Sequence, residues 1–274
     1  MARNIFLILI TGILLSTCIF KDEDFDVFSD DFDTLTWQVD QADTLKVTTL
    51  NGNITAIPHA DNTIDAIIFR RSWGVSFEDA ENHISDIEID QSLSGSIFSL
   101  SADFPRVNRR YIASFSLKIP DSLFLDFFII NGELMVENLF SDAKFRVDNG
   151  SIETKLVAGD LVCEVINGGI SILDHKGNIR AETVTGGIYC SMLDISPGES
   201  AEIKTGAGNV TLQVPANASV AFEIFTTNGG ISINGFDDIS YTRNEFNYRS
   251  GEINGGEASV LISCNTGNIS IQSY

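Results

Sequence analysis

Five glycines, Gly150, Gly159, Gly168, Gly177 and Gly186, stand nine residues apart, and Gly132 lies eighteen residues before the first of them. Their neighbours separate two classes. Asn149-Gly150-Ser151-Ile152, Asn167-Gly168-Gly169-Ile170 and Thr185-Gly186-Gly187-Ile188 resemble one another, whereas Ala158-Gly159-Asp160-Leu161 and Lys176-Gly177-Asn178-Ile179 form a looser set. The repeat is therefore eighteen residues long and built of two nine-residue halves. Later copies are stretched: Gly208 and Gly230 each follow the preceding marker by 22 residues, and Gly267-Asn268-Ile269 comes after a long insertion. Within each half the residues alternate. Ile152, Thr154 and Leu156 share one parity, as do Leu161, Cys163 and Val165, while Glu153, Lys155, Asp160, Glu164, Arg180 and Glu182 take the other. This is the period-2 signature of strands with one buried face, and Asn-Gly supplies turns at positive φ. Strands this short are not stable alone. Stacking gives each backbone group a partner in the neighbouring copy, so the pattern predicts an all-β fold, a β-solenoid with about 18–22 residues and two short strands per coil.

Of the 22 glycines, 18 fall in residues 132–274, so this half is expected to hold the regular coils and residues 35–131 a less regular part of one domain spanning 35–274. Ahead of it, Ile5 to Leu15 form an apolar run preceded by Arg3 and followed by charge from Lys21. Eleven residues suit a signal-peptide core and fall short of a roughly 20-residue membrane span. Leu15-Ser16-Thr17-Cys18 resembles the bacterial lipobox, with Thr17 in place of the usual Gly, Ala or Ser. Residues 1–18 are thus expected to be a lipoprotein-type signal peptide, with Cys18 lipidated and holding the chain to a membrane in the bacterial cell envelope, at the outer membrane or cell surface. Residues 19–34, rich in Asp and Glu, are expected to be an acidic tether, the alternative being a Ca²⁺ site that lacks the glycine of an EF-hand loop. With 38 acidic against 17 basic residues the net charge is -21, which excludes nucleic acid as a partner and disfavours direct docking on anionic lipid.

Upstream the pattern persists in weaker form. Leu45 to Leu50 reads as a strand followed by Asn51-Gly52, Ser76 to His83 as a short helix, and Ile112 to Pro120 as a strand. This order, together with Ile119-Pro120, Asn131-Gly132, Asn149-Gly150, Asn167-Gly168, Asn228-Gly229 and Thr266-Gly267-Asn268-Ile269, resembles the bacterial β-strand-repeat putative-adhesin domain over residues 35–274. The resemblance implies a right-handed β-helix-like fold in an envelope or surface protein, and it brings no catalytic residues; no metal or cofactor is expected from the residues themselves.

The side chains that carry chemistry are scattered. His59, His83 and His175 share no metal-ligand spacing and are expected at the surface or in loops; no Gly-x-Ser-x-Gly elbow is present. Two strands per coil place Cys163 and Cys190 on opposite sheets, so these and Cys264 are expected to be buried free thiols, the alternative being three strands per coil, which would stack the first two closely enough for a disulfide. Ser151, Gly169 and Gly187, eighteen apart, form an outward column of low relief against which a flat polymer would fit, though the second glycine of each pair also simply eases the turn. Beside it run Glu153, Ser171 and Tyr189, whose ring is placed to stack on a sugar. Arg70, Arg71, Arg106, Arg109 and Arg110 are expected to pair with nearby acids, the alternative being a patch for phosphate or sulfate groups of glycans. No two outward carboxylates are expected to meet on adjacent coils. The final strand, from Ile269, is expected to leave an open edge unless residues 236–254 fold over it. These features point to a non-catalytic envelope lipoprotein whose solenoid is an adhesion, binding or scaffolding surface for a glycan or protein. A polysaccharide-acting β-helix enzyme and an envelope-stress or signalling accessory are the alternatives.

Overall fold

A computed structural model describes residues 26–104 and 109–274; the expected signal segment and Cys18 lie outside the described residues. The fold is all-β. In chain order the strands are β1 (Val27–Gln38), β2 (Thr44–Asn51), β3 (Ile54–His59), β4 (Thr63–Gly74), β5 (Glu88–Ser94), β6 (Ile97–Asp103), β7 (Tyr111–Pro120), β8 (Phe124–Glu137), β9 (Ala143–Lys155), β10 (Leu161–Asn167) and β11 (Ile170–His175). They continue as β12 (Ile179–Thr185), β13 (Ile188–Met192), β14 (Ser200–Ala207), β15 (Val210–Val214), β16 (Val220–Asn228), β17 (Ile231–Asn234), β18 (Ile239–Asn244), β19 (Tyr248–Ile253), β20 (Ala258–Thr266) and β21 (Ile269–Ser273). Among the described residues one α-helix, α1 (Phe77–Asn82), starts where the sequence places it, with the Ser76 hydroxyl accepting from the Asp79 amide at 3.1 Å.

The strands pair in two parallel ladders. The first runs β6, β2, β8, β9, β10, β12, β14, β20, β16, and the second runs β7, β3, β8, β9, β11, β13, β15, β21, β17. Each eighteen-residue copy contributes one strand to each ladder, so Leu161 pairs with Ile179 and Ile170 with Ile188. β8 and β9 turn the corner without a break and serve both ladders. The inward parity forms one continuous apolar core, which includes Phe127, Phe145, Cys163 and Ala181 on the first ladder and Val136, Ile152, Ile172 and Cys190 on the second. Cys163, Cys190 and Cys264 are buried free thiols.

At the corner between the ladders the glycines stack. Gly52, Gly132, Gly150, Gly168, Gly186, Gly208 and Gly267 all hold φ between +143° and +155°. A Cβ on any of them would lie 1.6–2.0 Å from the carbonyl oxygen of the residue stacked beside it, which is Ala113 for Gly52 and the preceding glycine of the column for the others. Gly229 abuts the Gly267 carbonyl in the same way. Only glycine fits such a backbone-to-backbone approach. Side chains that lie three residues before one glycine of the column secure the carbonyl of the glycine stacked beside it from inside. Thr183 donates to Gly168 at 3.1 Å, Thr205 to Gly186 at 2.9 Å and Thr226 to Gly267 at 3.0 Å, while the Cys264 thiol takes the equivalent place against Gly208 at 3.3 Å. Outside, a ladder of amides joins the same corner: Asn167 donates to Asn149, Asn149 to Asn131 and Asn131 to Asn51, at 2.8–3.0 Å.

Both ends depart from the sequence expectation. β20 and β21 do not close the molecule; they insert between β14/β15 and β16/β17, so the last copy in sequence is paired on both sides. Residues 236–254 do fold over an edge, but it is that of β16, through the antiparallel hairpin β18–β19. The opposite end mirrors this: β2/β3, the first copy, lies between β6/β7 and β8. The acidic tether also needs correction. From Val27 onward the stretch is strand β1, antiparallel to β4, because its acids meet arginines: Asp30 faces Arg71, and Asp31 and Asp33 both reach Arg70, at 2.6–2.8 Å.

Gly168→Ala is expected to destabilise the protein by about 3 kcal/mol or more, the upper end for a residue forced into a disallowed backbone state. Gly198→Ala, at φ +86° with nothing within 4 Å, isolates the backbone cost without the collision and is expected to lose about 1 kcal/mol. Urea unfolding of the two variants measures the difference; equal losses would mean that the corner contact carries no weight.

Candidate functional site

The small-residue column forms as the spacing predicts. Registers of β9, β11 and β13 align Ser151, Gly169 and Gly187, with Glu133 on one side. Its backbone belongs to the ladder: the Ile152 amide donates to the Gly169 carbonyl at 3.1 Å, Ile170 to Gly187 at 3.1 Å, and Ile188 to Asn209 at 2.9 Å. The low strip is therefore short, bounded by Glu133 and Asn209. In the next column Glu153, Ser171, Tyr189 and Thr211 stand side by side. Tyr189 lies along the sheet and donates its hydroxyl to Gln213 Oε1 at 2.7 Å, so the ring that the sequence offers to a sugar is tied to its own surface.

A second face, which the sequence reading did not assemble, lies on the antiparallel trio β1, β4 and β7. Its outward parity sets Phe28, Asp30 and Phe32 on β1 opposite Trp73, Arg71 and Phe69 on β4, with Ile112 and Ser114 across on β7. Phe32 is 64% exposed, Ile67 51% and Phe28 45%, a cluster of large apolar side chains that a free sheet face ordinarily avoids. Arg71 holds Asp30 with two hydrogen bonds of 2.6 and 2.8 Å and stacks on the Phe28 ring at 4.0 Å. Arg109 donates to Asp79 at 3.1 Å and to the Trp73 carbonyl at 2.8 Å, and its guanidinium holds the Asp79 carboxyl below the usual range. Arg70, Arg71 and Arg109 are thus paired, as the salt-bridge reading expects, and Arg106 lies outside the described residues. Arg110 differs: its guanidinium lies 4.5 Å from the Trp73 ring centroid, at the rim of a cavity of about 580 Å³ lined also by Asn51, Asn53, Phe69 and Ser114. The signal for this face was present in the alternation Phe28, Asp30, Phe32 and in the doublet Arg70-Arg71, but the density of acids made β1 read as tether.

The titratable side chains give two further corrections. His175 is fully buried at the end of β11 rather than at the surface. Its Nε2 lies 3.3 Å from the Asn178 carbonyl and its Nδ1 has no partner. His59 and His83 stay half-buried, with ring nitrogens 2.7 Å from the carbonyls of Thr63 and Asp79. Two carboxylates do meet on neighbouring strands: Glu164 registers against Glu182, flanked by Arg146 and Lys204 in the same row. Glu182 sits 3.6 Å from Arg180, and both are about half exposed, so the row is an open one in which two adjacent glutamates are flanked by a basic residue on each side. Burial pushes the Cys190 thiol up to about 12 and Cys163 higher still, which makes both poor nucleophiles. Among the described residues no group of three or more His, Cys, Asp or Glu is placed to hold a metal ion, and no helix is long and apolar enough to cross a membrane.

Burial is the largest influence on His175 and lowers its pKa from 6.5 to about 4. Between those values the unfolded chain binds the proton and the folded chain does not. The stability associated with the neutral ring is therefore complete above about pH 6.5 and is lost as pH falls toward 4, by about 3 kcal/mol in all. Denaturation of the native protein and His175→Leu at pH 7 and pH 4 is expected to show the native protein losing that much more than the variant; parallel losses would contradict it.

No family model and no curated protein matches the chain. Solved structures do. A putative cell adhesion protein from Clostridium sporogenes ATCC 15579 is 13% identical, with 90% of this chain and 100% of that chain covered at a TM-score of 0.36. A putative adhesin from Bacteroides fragilis NCTC 9343 is 14% identical, covering 88% and 97% at 0.44. A putative lipid binding protein from Parabacteroides distasonis ATCC 8503 is 8% identical, covering 89% and 97% at 0.25. The matches run nearly end to end, at identities and TM-scores too low to assign a role to any residue.

Proposed function

We propose that this chain is a non-catalytic envelope lipoprotein whose copies stack as a right-handed β-solenoid and whose outer faces serve adhesion or binding. The solenoid reading is supported by the eighteen-residue register shared by both ladders and by the glycine column at their common corner. The binding reading is carried by the exposed aromatic and arginine face of β1, β4 and β7, since a cluster of this kind on a protein with net charge -21 marks a surface meant to be covered. Glycans and proteins both suit such a face; nucleic acid does not. Cys18 stands only nine residues before Val27, so a lipid there holds the β1 face close to the membrane it is anchored in. The Ser151–Gly187 strip offers a smaller second surface.

A specific observation keeps the polysaccharide-acting enzyme in view: Glu164 and Glu182 are neighbours, as a pair of catalytic carboxylates must be. The open, half-exposed row that they share with Arg146 and Lys204 favours a surface charge ladder instead.

The purified protein is expected to bind immobilised envelope glycans or matrix proteins, to release no sugar, and to lose at least tenfold in affinity in Phe32→Ser, a change at an exposed side chain that leaves the melting temperature within a few degrees. Reducing ends released by the native protein and abolished by Glu164→Gln would replace this reading with the enzyme. Labelled palmitate is expected in the native chain and absent from Cys18→Ala; equal labelling would remove the anchor.

A further inference from the structure

We infer that the cavity between Arg110, Trp73 and the end of the asparagine ladder is a binding site for an acidic saccharide, a pyranose bearing a carboxylate or sulfate; the inference rests on the binding function above and names its ligand class. Three features of the cavity converge on this chemistry.

The first is charge. Arg70, Arg71 and Arg109 are each matched by an aspartate, whereas Arg110 meets no carboxylate among the described residues. Its guanidinium is stacked on Trp73, which leaves the in-plane N–H groups free to engage an anion in a bidentate manner.

The second is the polarity of the amide ladder. Every link runs the same way, from Asn167 through Asn149 and Asn131 to Asn51. The orientation is fixed because Nδ2 of Asn131 and Asn149 also reaches the backbone carbonyls of Leu50 and Ile130, each at 3.4 Å. Asn51 is the last member. Its Oδ1 is spent on Asn131, so its Nδ2 is left over as a donor on the cavity wall. Asn53 repeats the arrangement: its Oδ1 accepts the Glu133 amide at 2.9 Å, and its Nδ2 remains. The polar side of the cavity is thus rich in donors, and its natural occupant is rich in acceptors and negative.

The third is the remaining wall. Phe69 lines the cavity beside the Trp73 ring that Arg110 covers, an aromatic surface which a bare inorganic anion does not need and the C–H face of a sugar ring does. The volume of about 580 Å³ falls within the range of small-ligand sites and has room for one or two sugar rings.

The test is binding of the purified full chain to matched oligosaccharides, neutral, uronate-containing and sulfated, with inorganic sulfate alone as a further arm. Acidic chains are expected to bind at least tenfold more tightly than neutral ones. Arg110→Gln and Asn51→Asp are expected to lose that advantage at an unchanged melting temperature, and Arg146→Gln, an exposed arginine on another face, to keep it. Equal binding of acidic and neutral sugars, full retention in Arg110→Gln, or inorganic sulfate competing as well as the sugar itself would each overturn the site. Binding of neutral glycans or matrix protein that ignores Arg110→Gln would overturn the site alone and leave the binding function standing. No binding of any of these arms overturns the site, and no binding of matrix protein in addition overturns the binding function as well.

Discussion

The contact between a glycine and the carbonyl stacked beside it is the constraint on which the rest of the structure depends. At the corner between the two ladders, neighbouring backbones approach so closely that a single methyl group would occupy the position of an oxygen. That approach lets a strand leave one ladder and enter the other within one residue, as β8 and β9 do, and it fixes the register of everything downstream. Because side chains alternate, a slip of one residue would turn Phe127, Phe145 and Cys163 outward and bring Arg146 and Glu164 into the core. The hydroxyls of Thr183, Thr205 and Thr226 act on the same corner from inside, giving a hydrogen bond to glycine carbonyls that the core would otherwise leave dry.

Regular stacking raises the problem of where it stops. A parallel ladder ends in unpaired backbone groups, which invite another chain to add on. Here both terminal copies are buried in the stack, and later or earlier segments cover them. At one end β16 is closed by the β18–β19 hairpin. At the other, β4 and β1 run antiparallel beyond β7. The second of these caps is also what makes the candidate site. β1 and β4 bring aromatic rings and arginines to the side of β7, and the ladder of asparagines ends against them. The cavity exists because the regular repeat gives way there to a different pairing mode.

What was legible in the sequence follows the same division. The glycine beat and the alternation of Ile152, Ile170 and Ile188 with Glu153, Ser171 and Tyr189 report local conformation, and local conformation repeated many times determines the two-strand copy, the inward parity and the separation of Cys163 from Cys190. Long-range pairing left weaker marks. Nothing in the residues of β20 says that it lies beside β14 rather than beyond β17. The acids of β1 make sense as a strand only when Arg70 and Arg71 are known to lie opposite. His175 has the turn-like neighbours Asp174 and Lys176 and would face outward by strict alternation from Ile170 and Ile172, yet it is buried, because the register shifts after Ile172, with Asp174 at φ +55°, and brings it against Met192 of the next copy. The Glu164–Glu182 pair follows directly from the eighteen-residue period and was readable from it.

The stacking order itself is open to direct measurement. Met135, Glu153, Ser171, Tyr189, Thr211, Ser270 and Ser232 occupy one outward row across the second ladder, in that spatial order. At about 4.8 Å per strand, spin labels at Met135→Cys and Ser270→Cys are expected about 24 Å apart, and at Met135→Cys and Ser232→Cys about 29 Å apart. The later residue in sequence is thus the nearer one. Pulsed electron paramagnetic resonance reads both distances, and position 232 closer to 135 than position 270 would contradict the inserted terminal copy and the register built on the glycine column.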